Sequence, residues 1–419
     1  MRRVLLISTT TGYQTRSFSE AAQRLGVDLV FATDRCHRLE DPWRDKAIPV
    51  RFHEEEAFIQ AVRAENQRWP FDGLLALGDR PAVFAALANE ALGLSGHPPV
   101  AARRSGNKLE TRKRFADAGL PCPVFREMSL ESALDPALAD REFPCVVKPL
   151  ALSGSRGVIR VDNPEELAAA IQRVRRLLAR ADIRQRRHCD DSKLMLESFI
   201  PGLEYAVEGV IEHGVLRVLA LFDKPDPLNG PYFEESIYVT PSVAPVQTQR
   251  RIEEAVSVAV QALGLHHGPV HAECRVNAQG VFVLEVAARP IGGLCAKTLR
   301  FLGRGGVVSL EELLLRHSLG ESMSRYRRET TASAVMMIPI PGAGVYRRTD
   351  QIASASAVPG VVDLVITAKA DQRLEPPPEG ASYLGFIFAR APEVAEAVTA
   401  VRESHAQLKI VIETPIPMA

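Results

Sequence analysis

The chain has 419 residues, too many for one ordinary hydrophobic core, so two to four packed subdomains are expected. Lysine plus arginine equals aspartate plus glutamate at 51 each, which leaves no global field to gather nucleic acid or an anionic membrane. The start, MRRVLLISTTTGY, is too weakly apolar for a signal or membrane segment, and the six cysteines form no CxxC pair, so a reducing cytoplasm is the expected location.

Residues 4–7 predict a buried strand, followed by a helix over about 17–25, a strand at 28–32, a helix around 55–68 and a strand at 73–77. Strands alternating with helices imply a parallel sheet with its binding crevice at the carboxyl ends of the strands. A dinucleotide fold is the first rival, but only Gly12 sits in the first turn and GxGxxG is absent. No Gly-Lys dipeptide occurs, which removes the GxxxxGK[ST] phosphate loop too.

From about 101 to 195 the texture shifts to short strands and basic helices. Residues 143–148, FPCVVK, predict an apolar strand ending in Lys148, and Ser153-Gly154-Ser155-Arg156-Gly157 follows. A strand-end lysine beside a Gly/Ser loop can surround a phosphate chain with one cation and several backbone N–H groups, although ordinary surface loops share this composition. Residues 158–161 predict another strand, and Asn163-Pro164-Glu165-Glu166 opens a helix with a cap, a first-turn proline and two acids. The arginines between 173 and 187 read as a solvated face, because no aromatics interleave with them.

Residues 194–209, LMLESFIPGLEYAVEG, predict an apolar strand running into Glu197, a Pro-Gly turn, and a second strand opened by Glu204. Such a linker can offer backbone groups to an adenine and a carboxylate to ribose hydroxyls; a hairpin with solvent-facing glutamates fits the same residues. Strands are expected at 205–211 and 215–222, with helices around 249–263 and 309–318. The segment GPVHAECRVNAQGVFVLEVAARPIGG, 268–293, predicts two strands joined at 277–280, with His271, Glu273 and Arg275 on one face. Glu285 ends the returning strand and Arg289 follows. If the strands pair, two carboxylates converge beside a guanidinium, an arrangement suited to magnesium on nucleotide phosphates. His267 and His271 are not expected to bind zinc, because Gly268-Pro269 break any helix that would align them. Beyond a polar boundary at 324–331, strands at 334–338, 361–367 and 383–389 and a helix over 393–408 read as a small α+β unit.

In this order the segments resemble the ATP-grasp superfamily, and within it the L-amino acid ligases and related carboxylate-amine ligases, over essentially the whole chain. The resemblance implies an α/β and α+β multidomain ATP-grasp fold. Its parts would be an N-terminal parallel α/β domain over 1–100, a small grasp subdomain with a linker helix over 101–195, a large catalytic subdomain over 196–325 and a small C-terminal α+β domain over 326–419. ATP and Mg2+ are the implied cofactors, with Mn2+ as a substitute. The implied partners are small-molecule carboxylate and amine substrates, with a homodimer as a compatible assembly and no nucleic acid or membrane.

By the same resemblance, Lys108 in GNKLETRKRF and Lys148 contact the ATP phosphates, and Ser153, Gly154, Ser155 and Gly157 belong to the lid over them. Glu197, the Ile200 amide and Glu204 hold adenine and ribose, and Glu273 and Glu285 are the magnesium ligands. Arg289 stabilises the acyl phosphate, with Lys148 and His271 completing the catalytic set. Lys224 and Glu234 or Glu235 face the substrate's carboxylate and ammonium groups, a charged loop being the alternative. One departure is visible: the family's E-x-N reads Glu285-Val286-Ala287, which removes an oxygen ligand from a second magnesium. The implied reaction joins a carboxylate to an amine through an acyl phosphate, releasing ADP and phosphate. Bicarbonate activation of the biotin-carboxylase kind and a non-catalytic ATP-binding regulator are the alternatives.

Overall fold

The first strand, Arg3–Ser8, reads as a continuous apolar run because both of its faces are covered. In the computed structural model, which describes residues 1–9, 14–34, 47–130, 143–188, 190–303 and 305–414, Leu5 and Ile7 join a core with Phe58 and Phe84. Val4 and Leu6 pack the other way, with Phe18, Leu313 and Leu314. Gly12, Cys36 and Cys189 lie outside the described residues. The parallel sheet holds Ile48–Pro49, Asp28–Thr33, Arg3–Ser8 and Gly73–Leu77 in that order.

Next come two helices that sequence periodicity did not delimit, Pro99–Ser105 and Lys108–Asp117. Asn107 caps the second by accepting the Leu109 and Glu110 amides at 3.0 Å, which puts Lys108 at its first turn. A separate antiparallel sheet orders Phe125–Ser129, Lys193–Ser198, Cys145–Pro149 and Ile159–Val161. Helix Pro164–Leu178 covers it with a stripe of Leu167, Ile171 and Val174. Arg176 on this helix is exposed, as a solvated face requires, but Arg173 and Arg180 instead bind Glu379 and Glu375 near the other end of the chain.

The largest sheet is antiparallel and eight-stranded. Its order is Gly280–Ala287, Gly268–Asn277, Leu203–Glu212, Val215–Asp223, Ile237–Thr240, Ala332–Ile338, Gly385–Ala391 and Val361–Ile366. The last three strands come from the final ninety residues, so that part of the chain extends the sheet begun by residues 203–287. Helix Val394–Gln407 covers this extension through Ala397, Ala400 and Val401. The strand expected at 383–389 is displaced to Gly385–Ala391, which leaves Tyr383 in the preceding loop. No described helix is long and apolar enough to cross a membrane.

Where the N-terminal unit meets this sheet, His97, His267 and His317 are packed together. His97 Nδ1 accepts the His266 amide at 3.2 Å, so its proton resides on Nε2, 3.2 Å from the Pro269 carbonyl. His267 and His317 stack with centroids 4.4 Å apart. Burial pushes His97 and His317 down to about 4, against an ordinary value of 6.5. Both therefore favour the neutral form in the fold. Their contribution to stability is complete above about pH 6.5 and is lost as pH falls toward 4, by roughly 2 kcal/mol each at pH 5. Urea unfolding at pH 7.5 and pH 5 should show this loss, and His317→Gln should reduce it by about half; a pH-independent midpoint would contradict it.

Candidate active site

Strand Gly268–Asn277 pairs antiparallel with Gly280–Ala287, with Asn277 opposite Gly280 and Glu273 opposite Glu285. Ala272 and Cys274 point into the core, whereas His271, Glu273 and Arg275 line one cavity, so the expected shared face is present. On its other edge the strand pairs with Leu203–Glu212, which sets His271 opposite Glu208 and Arg275 opposite Glu204. Two glutamates directly across a strand pair repel, so this arrangement costs stability unless cations converge on it.

Cations do converge. Lys108 Nζ lies 3.6 Å from Glu285 Oε2 and donates to the Leu152 carbonyl at 2.7 Å. Arg289 lines the cavity wall, its Nε 2.7 Å from Asp79 Oδ1 and one terminal nitrogen 3.0 Å from the Pro290 carbonyl. Burial would lower Arg289, but Asp79 overrides it and raises the guanidinium above its ordinary value. Asp79 opens helix Asp79–Leu92 and thereby ties the N-terminal unit to the site.

Toward one end, the cavity is lined by Val146, Met195, Phe199, Leu228 and Phe233, with Ile200 and Lys148 beside them. Lys148 is ion-paired with Glu197, whose other oxygen takes Arg112 Nε at 2.8 Å. Arg112 also donates to the Val283 and Leu284 carbonyls at 2.9 and 3.0 Å. Burial alone would raise the Glu197 carboxyl, yet Arg112 and Lys148 hold it down at about 2. Burial lowers the Lys148 ammonium, and Glu197 opposes that shift. The Glu197 carboxylate lines the cavity while held by two cations, one on each oxygen, as Glu204 is by Lys224 and Arg275.

A second buried cluster surrounds Lys224, whose Nζ is 2.7 Å from Glu204 and 3.4 Å from Glu273 and also bonds Glu235. Burial disfavours the ammonium, but the three carboxylates raise it well above its ordinary value. Lys224 is thus enclosed by three carboxylates and does not itself line the cavity, whereas Glu235 does. Arg275 takes the other Glu204 oxygen at 2.8 Å and the Ile200 carbonyl at 2.7 Å. Burial and the adjacent Glu273 push Glu235 up to about 7, while Lys224 and His271 outweigh burial to keep Glu273 well below the carboxylate range. Glu234 does not line the cavity, and its buried Oε1 has no hydrogen-bond partner among the described residues. His271 contacts Glu208 through Nδ1 at 3.1 Å and Glu273 through Nε2 at 3.7 Å.

The Gly/Ser loop reaches this cavity with Gly154 and Ser155 only. Ser153 lines an adjoining recess with Asp79, Lys108 and Glu285. Gly157 has φ 75°, and a Cβ there would meet Pro149 at 2.7 Å, so no other residue fits the turn. Its N–H donates to the Pro378 carbonyl at 2.8 Å, and Arg156 Nε donates to the Glu379 carbonyl at 2.7 Å. The lining also includes Ile291, Gly292, Gly293, Cys295, Met337 and Tyr383.

Asp79, Arg112 and Glu208 were not singled out from the sequence. Only Glu208 left a signal, its even spacing from Glu204 along one strand face.

A family model described as ATP-grasp domain matches residues 141–298, one described as ATP-grasp N-terminal domain matches 19–96, and L-amino acid ligase C-terminal domain 2 matches 336–413. A crystal structure of L-amino acid ligase from Bacillus licheniformis superposes with a TM-score of 0.80 at 27% identity, covering 99% of each chain. An uncharacterized protein of Sinorhizobium fredii is 23% identical over 96% of this chain and 82% of its own. Alanine–anticapsin ligase of Bacillus subtilis is 27% identical over 49% of this chain, a match spanning 46% of that enzyme.

Proposed function

Since the chain belongs to the ATP-grasp ligases, we propose that it joins a small carboxylic acid of the amino acid class to an amine through an acyl phosphate, releasing ADP and phosphate. The observation that carries this reading is the Glu273–Glu285 pair across one hairpin, ringed by Lys108, Arg289 and His271, in a cavity with an apolar slot at one end. The slot, closed by Phe199 and Phe233, suits a flat base at the Ile200 amide, with Glu204 held toward the ribose by Lys224 and Arg275. Lys148, Lys108 and the Gly154–Ser155 turn then face the phosphate chain. The division of the chain at 100, 195 and 325 is part of the same reading.

Glu273 and Glu285 supply hard oxygen donors, and Glu273 also belongs to a group with Glu204 and Glu235 whose ligand atoms lie within 4.8 Å of one another. Such a donor set fits Mg2+, with Mn2+ acceptable by the same chemistry, and the bound ion would screen phosphate charge. Ala287 offers no side-chain ligand, which makes substrate oxygens or water the remaining donors. The substrate carboxylate attacks the terminal phosphoryl group in line, and the ADP oxygen leaves. Arg289 offsets the charge spreading over the transferred oxygens. The amine then attacks the acyl carbon, expelling phosphate as the amide forms.

A phosphate-release screen crossing amino acids and small acids with candidate amines, with MgATP, tests the proposal. Amine-dependent ADP and phosphate with a condensed product are expected. Release of AMP and pyrophosphate would overturn the phosphoryl-transfer step, and bicarbonate-dependent, amine-independent ADP would reassign the substrate. Tight ATP binding without turnover would indicate a regulator.

A further inference from the structure

Glu208 lies within strand Leu203–Glu212, is fully buried, and does not line the cavity. One of its oxygens, Oε2, is 3.1 Å from His271 Nδ1 and accepts the Ile291 amide at 3.0 Å. The other, Oε1, has no hydrogen-bond partner among the described residues. The Ile291 carbonyl is in turn held by Gln14, so the backbone on either side of this residue is fixed, two residues beyond Arg289. Burying a carboxylate with an unsatisfied oxygen costs stability. Ala206 and Val210, flanking it on the same strand face, fill their places with apolar groups at no such cost.

The expense therefore points to a task beyond packing. We infer that Glu208 is a positioning residue: it fixes the His271 ring with Nε2 on the Glu273 side of the cavity and ties that ring to the loop carrying Arg289. A carboxylate on Nδ1 selects the ring orientation and keeps the proton on that nitrogen, as carboxylates do behind catalytic imidazoles. Because Ile291 shares the same oxygen, a displaced ring and a displaced Arg289 loop cannot be separated. Glu208 thus acts on the chemistry through His271 without touching a substrate.

The activity arm of the test rests on the ligase reading above, so a second arm is independent of it. In the nucleotide-free protein, a downfield ring N–H proton resonance that disappears in His271→Ala should shift upfield in Glu208→Gln. With the acid and amine found by the screen, Glu208→Gln should lower kcat about 10- to 100-fold with an unchanged KM for ATP. In a His271→Ala background the same change should cost clearly less than in the parent, the remainder reporting the Ile291 contact. An unmoved resonance, full additivity, or a parallel loss of ATP affinity would each overturn the inference. If Glu208→Gln does not fold, Glu208→Asp, which keeps the charge but shortens the reach, enters the same comparisons with the same expected directions. If no acid and amine turn over, the ligase reading fails while the resonance still decides the role of Glu208.

Discussion

A Glu285→Gln enzyme should turn over at least about 10³-fold more slowly than the parent, while its thermal unfolding stays within about 1 kcal/mol of it. The two halves of this expectation come from different physics. For stability, Glu285 is partly exposed and its 3.6 Å contact with Lys108 is a loose ion pair of small net worth. Removing its charge also relieves repulsion with Glu273 across the hairpin, so the two changes oppose each other. For catalysis nothing compensates, because the amide is a weaker ligand for a hard cation and Ala287 offers no side-chain oxygen nearby. Steady-state turnover and a thermal melt on the same sample check both halves. Near-normal turnover would remove Glu285 from the site; joint loss of turnover and folding would make it a structural residue.

The hairpin that carries Glu285 was legible because its signal is local. Alternation of His271, Glu273 and Arg275 with apolar residues specifies a face, and a turn at 277–280 specifies the pairing. Arg112 illustrates the opposite case. It stands among Glu110, Lys113 and Arg114 on a helix that reads as a wet surface, yet it is buried, with its side-chain hydrogen-bond partners 85 or more positions away. Asp79 looks like an ordinary helix-opening acid until Arg289, 210 residues later, is folded against it. Polarity around Lys224 and Glu235 marked a site, but a loop sequence cannot reveal that the lysine's own neighbours consume its charge. The extension of the large sheet by the last ninety residues was hidden for the same reason, since strand order is a long-range property.

Arg289→Lys should reduce kcat by about 10²- to 10³-fold and leave nucleotide affinity nearly unchanged. In the parent, Asp79 and the Pro290 carbonyl hold two guanidinium nitrogens, so the group is fixed at the cavity wall before any substrate arrives. An ammonium keeps the charge but not the planar fork, and it can satisfy Asp79 only by giving up that placement. The nucleotide should be nearly insensitive, because its proposed base, ribose and phosphate contacts, at Ile200, Glu204, Lys148, Lys108 and the Gly154–Ser155 turn, all remain and the charge at residue 289 is kept. Arg289→Ala is a different experiment. It leaves the half-buried Asp79 without its guanidinium, and partial burial then works against a carboxyl that Arg289, with Lys108 and Ser153, had held low. That variant should lose roughly 1–3 kcal/mol of stability. Asp79→Asn combined with Arg289→Ala should recover most of that stability without recovering turnover. Recovery of both would mean that Arg289 serves only to neutralise Asp79. Recovery of stability alone would separate the cation that holds the N-terminal unit in place from the cation that faces the reacting phosphoryl group, although both are the same side chain.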